Sequence, residues 1–330
     1  MGRDKVVREI ETPPLREDEF AVHRAGVRDD IEIAFLREGI GGVPIVLLHG
    51  WPGTKRLWWR NVAPLAAAGF EVIVPDARGF GDSSIPADRS QYADLAASAR
   101  DVHELVTSLG HERAVLVGGD FGSGVVQDLS LRFPGFAIRQ AVFNGLSPVL
   151  PEEYERANIP GSQLEEVAAV TDHMIVQGKH ADELLEELDT PAKRRDYVKG
   201  FYQGRVWKEG EPQLQLGGEG NIDDEGADFM AAAFEDAAVF RSSLGYYESV
   251  ENPELMSEAP LLMEPNATTQ TLILYGAEDD IVGPRYTARM EIAHRDHVGP
   301  FVVEGGGHFL QWERADVLNN ALISFCRDLL

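Results

Sequence analysis

Two short segments pair one reactive side chain with glycines that free the backbone around it. The first is Val117-Gly118-Gly119-Asp120-Phe121-Gly122-Ser123-Gly124. It follows an apolar run and opens a helical stretch. Glycines spaced around one reactive residue make a sharp strand–turn–helix elbow, which lifts that residue to the carboxyl edge of a sheet. The apex is ordinarily serine; here it is Asp120. Ser123 fails as a substitute, because an elbow centred on it needs small residues at 121 and 125, where Phe121 and Val125 stand. The competing structural reading of Asp120 is a helix-capping aspartate. The second segment is Gly305-Gly306-Gly307-His308-Phe309, a glycine collar that can carry one imidazole over a sheet edge. The other histidines lack such a setting: His103 falls in a helix, His111 in a loop before a strand, His294 and His297 in a late helical or loop segment.

A third segment, Tyr275-Gly276-Ala277-Glu278-Asp279-Asp280, follows a strand. A carboxylate there could orient the histidine. On position alone Glu278, Asp279 and Asp280 compete. Together the three segments run nucleophile, acid, histidine, the chain order of the α/β-hydrolase fold.

The elements around them suit that order. Segments at 31–36, 44–48, 70–75, 114–117 and 140–143 read as strands, 44–48 as a short apolar run. Helical stretches at 58–68, 92–109 and 125–133 alternate with them. Such alternation implies a mostly parallel sheet flanked by helices. From 148 to 252 the chain is charged, poor in strand runs and mostly helical, with helices expected at 183–188 and 229–240 and a loop at Gly217-Gly218-Glu219-Gly220. Strands resume at 271–275 and 300–303, and a closing helix is expected at 317–329. The expected organisation is therefore an α/β core from 1–147 and 253–330, split by a helical cap over 148–252.

Composition excludes several functions. Acidic residues outnumber basic ones 55 to 30, for a net charge of −25, which argues against nucleic acid or an anionic membrane as partner. No apolar run approaches the roughly 18 residues of a membrane span. The charged segment Met1 to Arg16 does not resemble a signal peptide. One cysteine, Cys326, permits no internal disulfide, and a reducing, cytoplasmic setting is expected. It lies beside an apolar run and is a poor catalytic thiol.

The motifs His49-Gly50-Trp51-Pro52, Asp76-Ala77-Arg78-Gly79-Phe80-Gly81-Asp82-Ser83, the Asp120 elbow and Gly306-Gly307-His308-Phe309 resemble the epoxide hydrolases of the α/β-hydrolase superfamily. The resemblance spans about 30–147 and 255–330 and is weaker in the cap. It implies Asp120 as nucleophile and His308 as base, with Asp279 as its acid, three residues after the turn glycine. It implies an oxyanion hole from the backbone N–H groups of Trp51 and Phe121. His49 and Arg78 are expected to be structural, Arg78 as an ion-pair anchor. In the cap, Tyr247 of Tyr246-Tyr247 matches a ring-opening tyrosine, and His173 stands where a second tyrosine is usual, as in a bacterial subgroup with a His/Tyr pair. No cofactor or metal is implied. The expected partners are a small-molecule epoxide and water, with a homodimer as candidate assembly.

The aspartate itself fits this chemistry. Serine attacking saturated carbon would leave an ether that water cannot easily cleave, whereas a carboxylate leaves an ester. The alternative is a haloalkane or haloacid dehalogenase with the same nucleophile. Phe121 lacks the N–H that a tryptophan there gives halide, and Gly122 to Val125 lack the arginines that would hold a substrate carboxylate. A non-catalytic ligand-binding homologue is the remaining alternative, against which the complete triad stands.

Overall fold

The computed structural model describes residues 15–160, 172–204, 206–208, 211–214, 222–262, 264–279, 281–283 and 285–330. The expectations for the charged N-terminus before 15, the 217–220 loop and Asp280 lie outside the described residues. In chain order the elements are β1 (Val22–Gly26), β2 (Glu32–Glu38), β3 (Val43–Leu48), α1 (Trp59–Ala67), β4 (Phe70–Pro75), α2 (Leu95–Ser108), β5 (Ala114–Asp120), α3 (Phe121–Arg132) and β6 (Ala137–Gly145). Then follow α4 (Pro151–Arg156), α5 (Asp172–Lys179), α6 (Ala181–Glu187), α7 (Pro191–Tyr202), β7 (Val206–Lys208), β8 (Glu211–Leu214), α8 (Asp224–Ala231), α9 (Ala237–Ser243) and α10 (Gly245–Glu251). The chain closes with β9 (Thr271–Gly276), α11 (Tyr286–Ala293), β10 (His297–Val303), α12 (Leu310–Glu313) and α13 (Ala315–Phe325).

Eight strands form one sheet in the order β1-β2-β4-β3-β5-β6-β9-β10. Only the β1–β2 and β2–β4 pairings are antiparallel. This is the expected α/β class. The strand order reverses at β3: β4 lies to one side of it and β5 to the other. Right-handed crossovers then put α1 on one face and α2, α3 and α11 on the other, and α13 packs beside α1. The inner strands are apolar on both faces, and every residue of β4 is buried, as a sheet covered on two sides requires. The crevice between the carboxyl ends of β3 and β5, where the order reverses, is where such sheets bind ligands. The elbow and the His49–Gly53 loop both open into it.

Several elements depart from expectation. The helix expected over 92–109 starts at Leu95, because Asp94 caps it by accepting from the Ala97 N–H. Helix α3 starts at Phe121, not 125, since the elbow leads straight into it. The single helix expected over 229–240 is broken: Asp236 caps a new helix by accepting from Ala238 and Val239. His297 begins β10 rather than sitting in a helix or loop. Strand β1 and the β7–β8 hairpin were not foreseen. Between β6 and β9 the described helices are interrupted by loops and by that hairpin, and β9 pairs with β6 although the insert separates them. Among the described residues no helix is long and apolar enough to cross a membrane.

Candidate active site

Asp120 ends β5 with φ 53° and ψ −133°, a left-handed geometry that a residue other than glycine adopts only under constraint. The constraint is visible. A Cβ on Gly122 would overlap the Leu48 carbonyl oxygen, so only glycine lets α3 start this close to β3. Ser123 Oγ donates to the Asp120 carbonyl at 2.8 Å, pinning the turn from inside. Ser123 is thus a brace of the elbow rather than its reactive residue.

The β3 loop reaches the same carboxylate. The Trp51 N–H donates to Asp120 Oδ1 at 2.8 Å. A Cβ on Gly50 would collide with that oxygen, so glycine there permits the approach. His49 is buried and braces the loop: Nδ1 lies 2.9 Å from the Gly50 carbonyl, and Nε2 accepts from the Ala77 N–H at 3.0 Å. Burial lowers its pKa, which keeps the ring neutral in this role. Arg78 makes a two-pronged contact with buried Asp101, at 2.6 and 2.5 Å, as expected of an anchor. The Phe121 N–H makes no hydrogen bond to the Asp120 carboxylate among the described residues; its ring packs against Tyr246 and Tyr247 instead.

His308 comes from the turn between β10 and α12. Its Nε2 lies 3.3 Å from Asp120 Oδ2 and its Nδ1 2.9 Å from Asp279 Oδ2. Asp279 is buried, and its other oxygen accepts from the Ile281 N–H at 2.8 Å, whereas Glu278 is exposed. The geometry therefore brings together Asp120, Asp279 and His308 and leaves Glu278 at the surface. Burial works to lower the His308 pKa. The carboxylates of Asp279 and Asp120 outweigh it and lift the pKa to about 10.

Two residues that fix this turn were missed in the sequence. Asn144, at φ 43° near the end of β6, donates from Nδ2 to the carbonyls of Gly307 (2.7 Å) and His308 (3.1 Å). Its Oδ1 accepts from the Gly276 N–H at 2.9 Å. One amide thus ties β6, β9 and the histidine turn together. Glu313 accepts from the N–H groups of Gly307 and Phe309, both at 2.8 Å. No local motif announces either residue, because their partners are distant in sequence or are backbone.

The insert packs aromatic groups against Trp51, whose backbone N–H holds the carboxylate. Trp51 packs edge-on against Phe201 and Tyr247, with centroids 4.9 and 5.4 Å apart, and its indole N–H donates to Ser243 Oγ at 3.1 Å. Tyr247 is buried and meets Phe121 at 5.0 Å. Burial, and after it the Asp120 charge, push its hydroxyl well above the ordinary value of 10. His173, on α5, is buried with its ring 5.9 Å from that of Tyr247 and 5.4 Å from Phe201. Tyr247 and His173, the two insert residues named from the sequence, therefore meet in one aromatic cluster with Trp51. Cys326 is buried and takes no part; burial raises its thiol pKa to about 11.

Residues 43–315 match the α/β hydrolase fold family, and the chain belongs to it. Among known proteins it is 28% identical over 305 residues to a provisionally named non-heme chloroperoxidase of Synechocystis, covering 91% of this chain and 97% of that one. Epoxide hydrolase A of Mycobacterium tuberculosis is 37% identical over 135 residues, 40% of this chain and 39% of that one. A Burkholderia fluoroacetate dehalogenase is 37% identical over 121 residues, 36% of this chain and 40% of that one. The latter two alignments thus span about two-fifths of those relatives. Among solved structures, epoxide hydrolase VrEH1 of Vigna radiata superposes with a TM-score of 0.75 over 95% of this chain and 99% of that one, at 19% identity. At that identity the likeness is one of fold.

Proposed function

We propose that this chain is an epoxide hydrolase that converts a small epoxide to a vicinal diol through an ester on Asp120. The observation that carries the reading is a shared neighbour. Trp51, whose backbone N–H holds the Asp120 carboxylate, packs its ring 5.4 Å from that of buried Tyr247, whose hydroxyl keeps its proton at neutral pH and feels the Asp120 charge. In this reading residues 148–252 act as a cap that closes the site and supplies the proton donors.

The cycle balances as follows. Asp120 Oδ2 attacks a ring carbon, since Oδ1 is engaged by the Trp51 N–H. The carbon–oxygen bond breaks, and the ring oxygen takes the proton of Tyr247, with His173 as the second donor. Asp120 is now a neutral ester. The charge that raised the His308 pKa is gone from one side, and the imidazolium gives up its proton through water to the Tyr247 oxygenate. His308, held by Asp279, then takes a proton from water, whose oxygen attacks the Asp120 carbonyl carbon. The negative charge builds on Oδ1, where the Trp51 N–H already points and the Phe121 N–H is the second donor. The leaving diol oxygen takes the remaining proton of the attacking water, which frees the Asp120 carboxylate and leaves His308 protonated as at the start. The sum is epoxide plus water to diol.

Dehalogenation is the second reading, favoured by the similarity to the Burkholderia enzyme. Against it, Phe121 to Val125 offer neither an indole N–H for halide nor a cation for a haloacid. Incubation with styrene oxide, with a bromoalkane and with fluoroacetate separates the readings. Diol without halide is expected; halide without diol would overturn the proposal.

A further inference from the structure

The residues on either side of Tyr247 are both fastened to the core. On one side, Tyr246 stacks on Phe121 with centroids 4.9 Å apart, and its hydroxyl lies 2.9 Å from Ser98 Oγ on α2. On the other side, Glu248 is buried although its carboxylate belongs to a surface-type residue. Two arginines reach it. Arg241, from α9, donates from Nη1 and Nη2 at 2.9 and 3.0 Å. Arg89, from the core segment between β4 and α2, donates from Nε at 2.9 Å and also from Nη2. Asp182 on α6 completes the cluster: it accepts from Arg241 at 2.5 Å and from Arg89 at 3.2 Å. The cluster thus gathers α6, α9 and α10 of the insert onto one core residue, Arg89. Helix α10 has only seven residues and packs on α5, which carries His173. A helix so short has little rigidity of its own, so its fixed points decide where Tyr247 lies.

We propose that Arg89 and Glu248 form a latch between core and insert that positions Tyr247 for proton donation to the opening ring. They are positioning residues; neither touches Asp120. The inference rests on the reading of Tyr247 as ring-opening donor. It separates the two chemical steps: a loosened latch slows ester formation, which needs Tyr247, and spares ester hydrolysis, which needs His308, Asp279 and the Trp51 N–H.

Arg89→Met is the informative variant. Arg241 remains on Glu248, so no buried carboxylate is stranded, and Arg89 is about half exposed, so the fold survives its loss. Single-turnover reactions with styrene oxide, quenched and read by intact mass, give both rates. Ester formation should fall about tenfold and ester decay should hold. Arg89→Lys should recover much of the loss. Adding Arg89→Met to Tyr247→Phe should slow ester formation no further. Equal slowing of both steps, multiplied losses in the double variant, or wild-type rates in Arg89→Met would overturn the latch. If Tyr247→Phe alone forms ester at the wild-type rate, the ring-opening role falls and the latch with it. If Tyr247→Phe is slow while Arg89→Met is not, the latch alone falls.

Discussion

The imidazole of His308 stands 3.3 Å from Asp120 Oδ2, on the same carboxylate whose other oxygen is held by the Trp51 N–H. With Asp279 on its far side, the ring lies between two carboxyl groups that lift its pKa to about 10. At neutral pH it therefore carries a proton and is not a base in the resting site. Neutralising Asp120 should release it. Asp120→Asn is expected to lower the His308 pKa by more than a unit from about 10, as followed by NMR of the ring nitrogens. An unchanged value would remove Asp120 as a source of the shift.

The same shift has a stability consequence of definite sign. The folded pKa lies above the unfolded value of 6.5, so the native state holds a proton that the unfolded chain loses. The stabilisation is complete below about pH 6.5 and is lost as pH rises through about 10. Denaturant midpoints at pH 6.5 and 9.5 should fall further apart in the wild type than in His308→Gln. Equal differences in the two proteins would count against it.

His308→Gln should also split the cycle. Carboxylate attack requires no base, whereas ester hydrolysis does. The variant incubated with an epoxide should gain the mass of one substrate, located on the peptide carrying Asp120, with product formation reduced by a factor on the order of 10³. A variant that turns over without accumulating ester would show that another group activates water.

Asn144→Leu removes the amide that joins β6, β9 and the histidine turn. Leaving the Gly276 N–H unpaired costs about 1–3 kcal/mol by itself. Melting temperature should fall accordingly. Because the lost contacts aim His308, ester decay should slow more than ester formation. A variant that is less stable yet unaltered in the ratio of the two rates would make Asn144 a purely structural tie.

His294 gives the opposite pH signature from His308. It is buried, with Nε2 3.2 Å from Gln127 Oε1 and Nδ1 3.3 Å from Gln140 Nε2. Burial lowers its pKa to about 3. Here the unfolded chain takes up the proton that the native state refuses. Stability is intact above about pH 6.5 and declines as pH falls towards 3, at up to about 1.4 kcal/mol per pH unit. His294→Gln should flatten the difference between denaturant midpoints at pH 7 and pH 4.5 relative to the wild type. A wild-type slope retained in the variant would assign acid sensitivity to other groups.

What the sequence disclosed depended on whether the signal was local. The run Phe70 to Pro75, apolar but for Glu71, became a strand of those bounds. The elbow and the glycine collar at 305–307 are likewise local, and they pointed to Asp120 and His308. Asp279 needed the family resemblance to separate it from Glu278; in the structure burial does that work. Strand β1, by contrast, is largely exposed and is held by its pairing with β2, so it has no apolar pattern to read. Asn144 and Glu313 matter only once β6, β9 and the last turn are neighbours. The Arg89–Glu248 latch joins residues 159 apart, and nothing near either one foretells the other.

Asp120 and His308 lie 188 residues apart, and the histidine turn follows the last strand to join the sheet. During synthesis Asp120 therefore emerges long before His308. A nascent chain could complete β5 and its elbow while the imidazole was still inside the ribosome. On the proposed cycle, any truncation short of residue 308 leaves a carboxylate with no means of clearing an ester once formed. Turnover is in this sense a property of the finished chain, and recovered activity after refolding reports that β10 has docked, not merely that the early strands have paired.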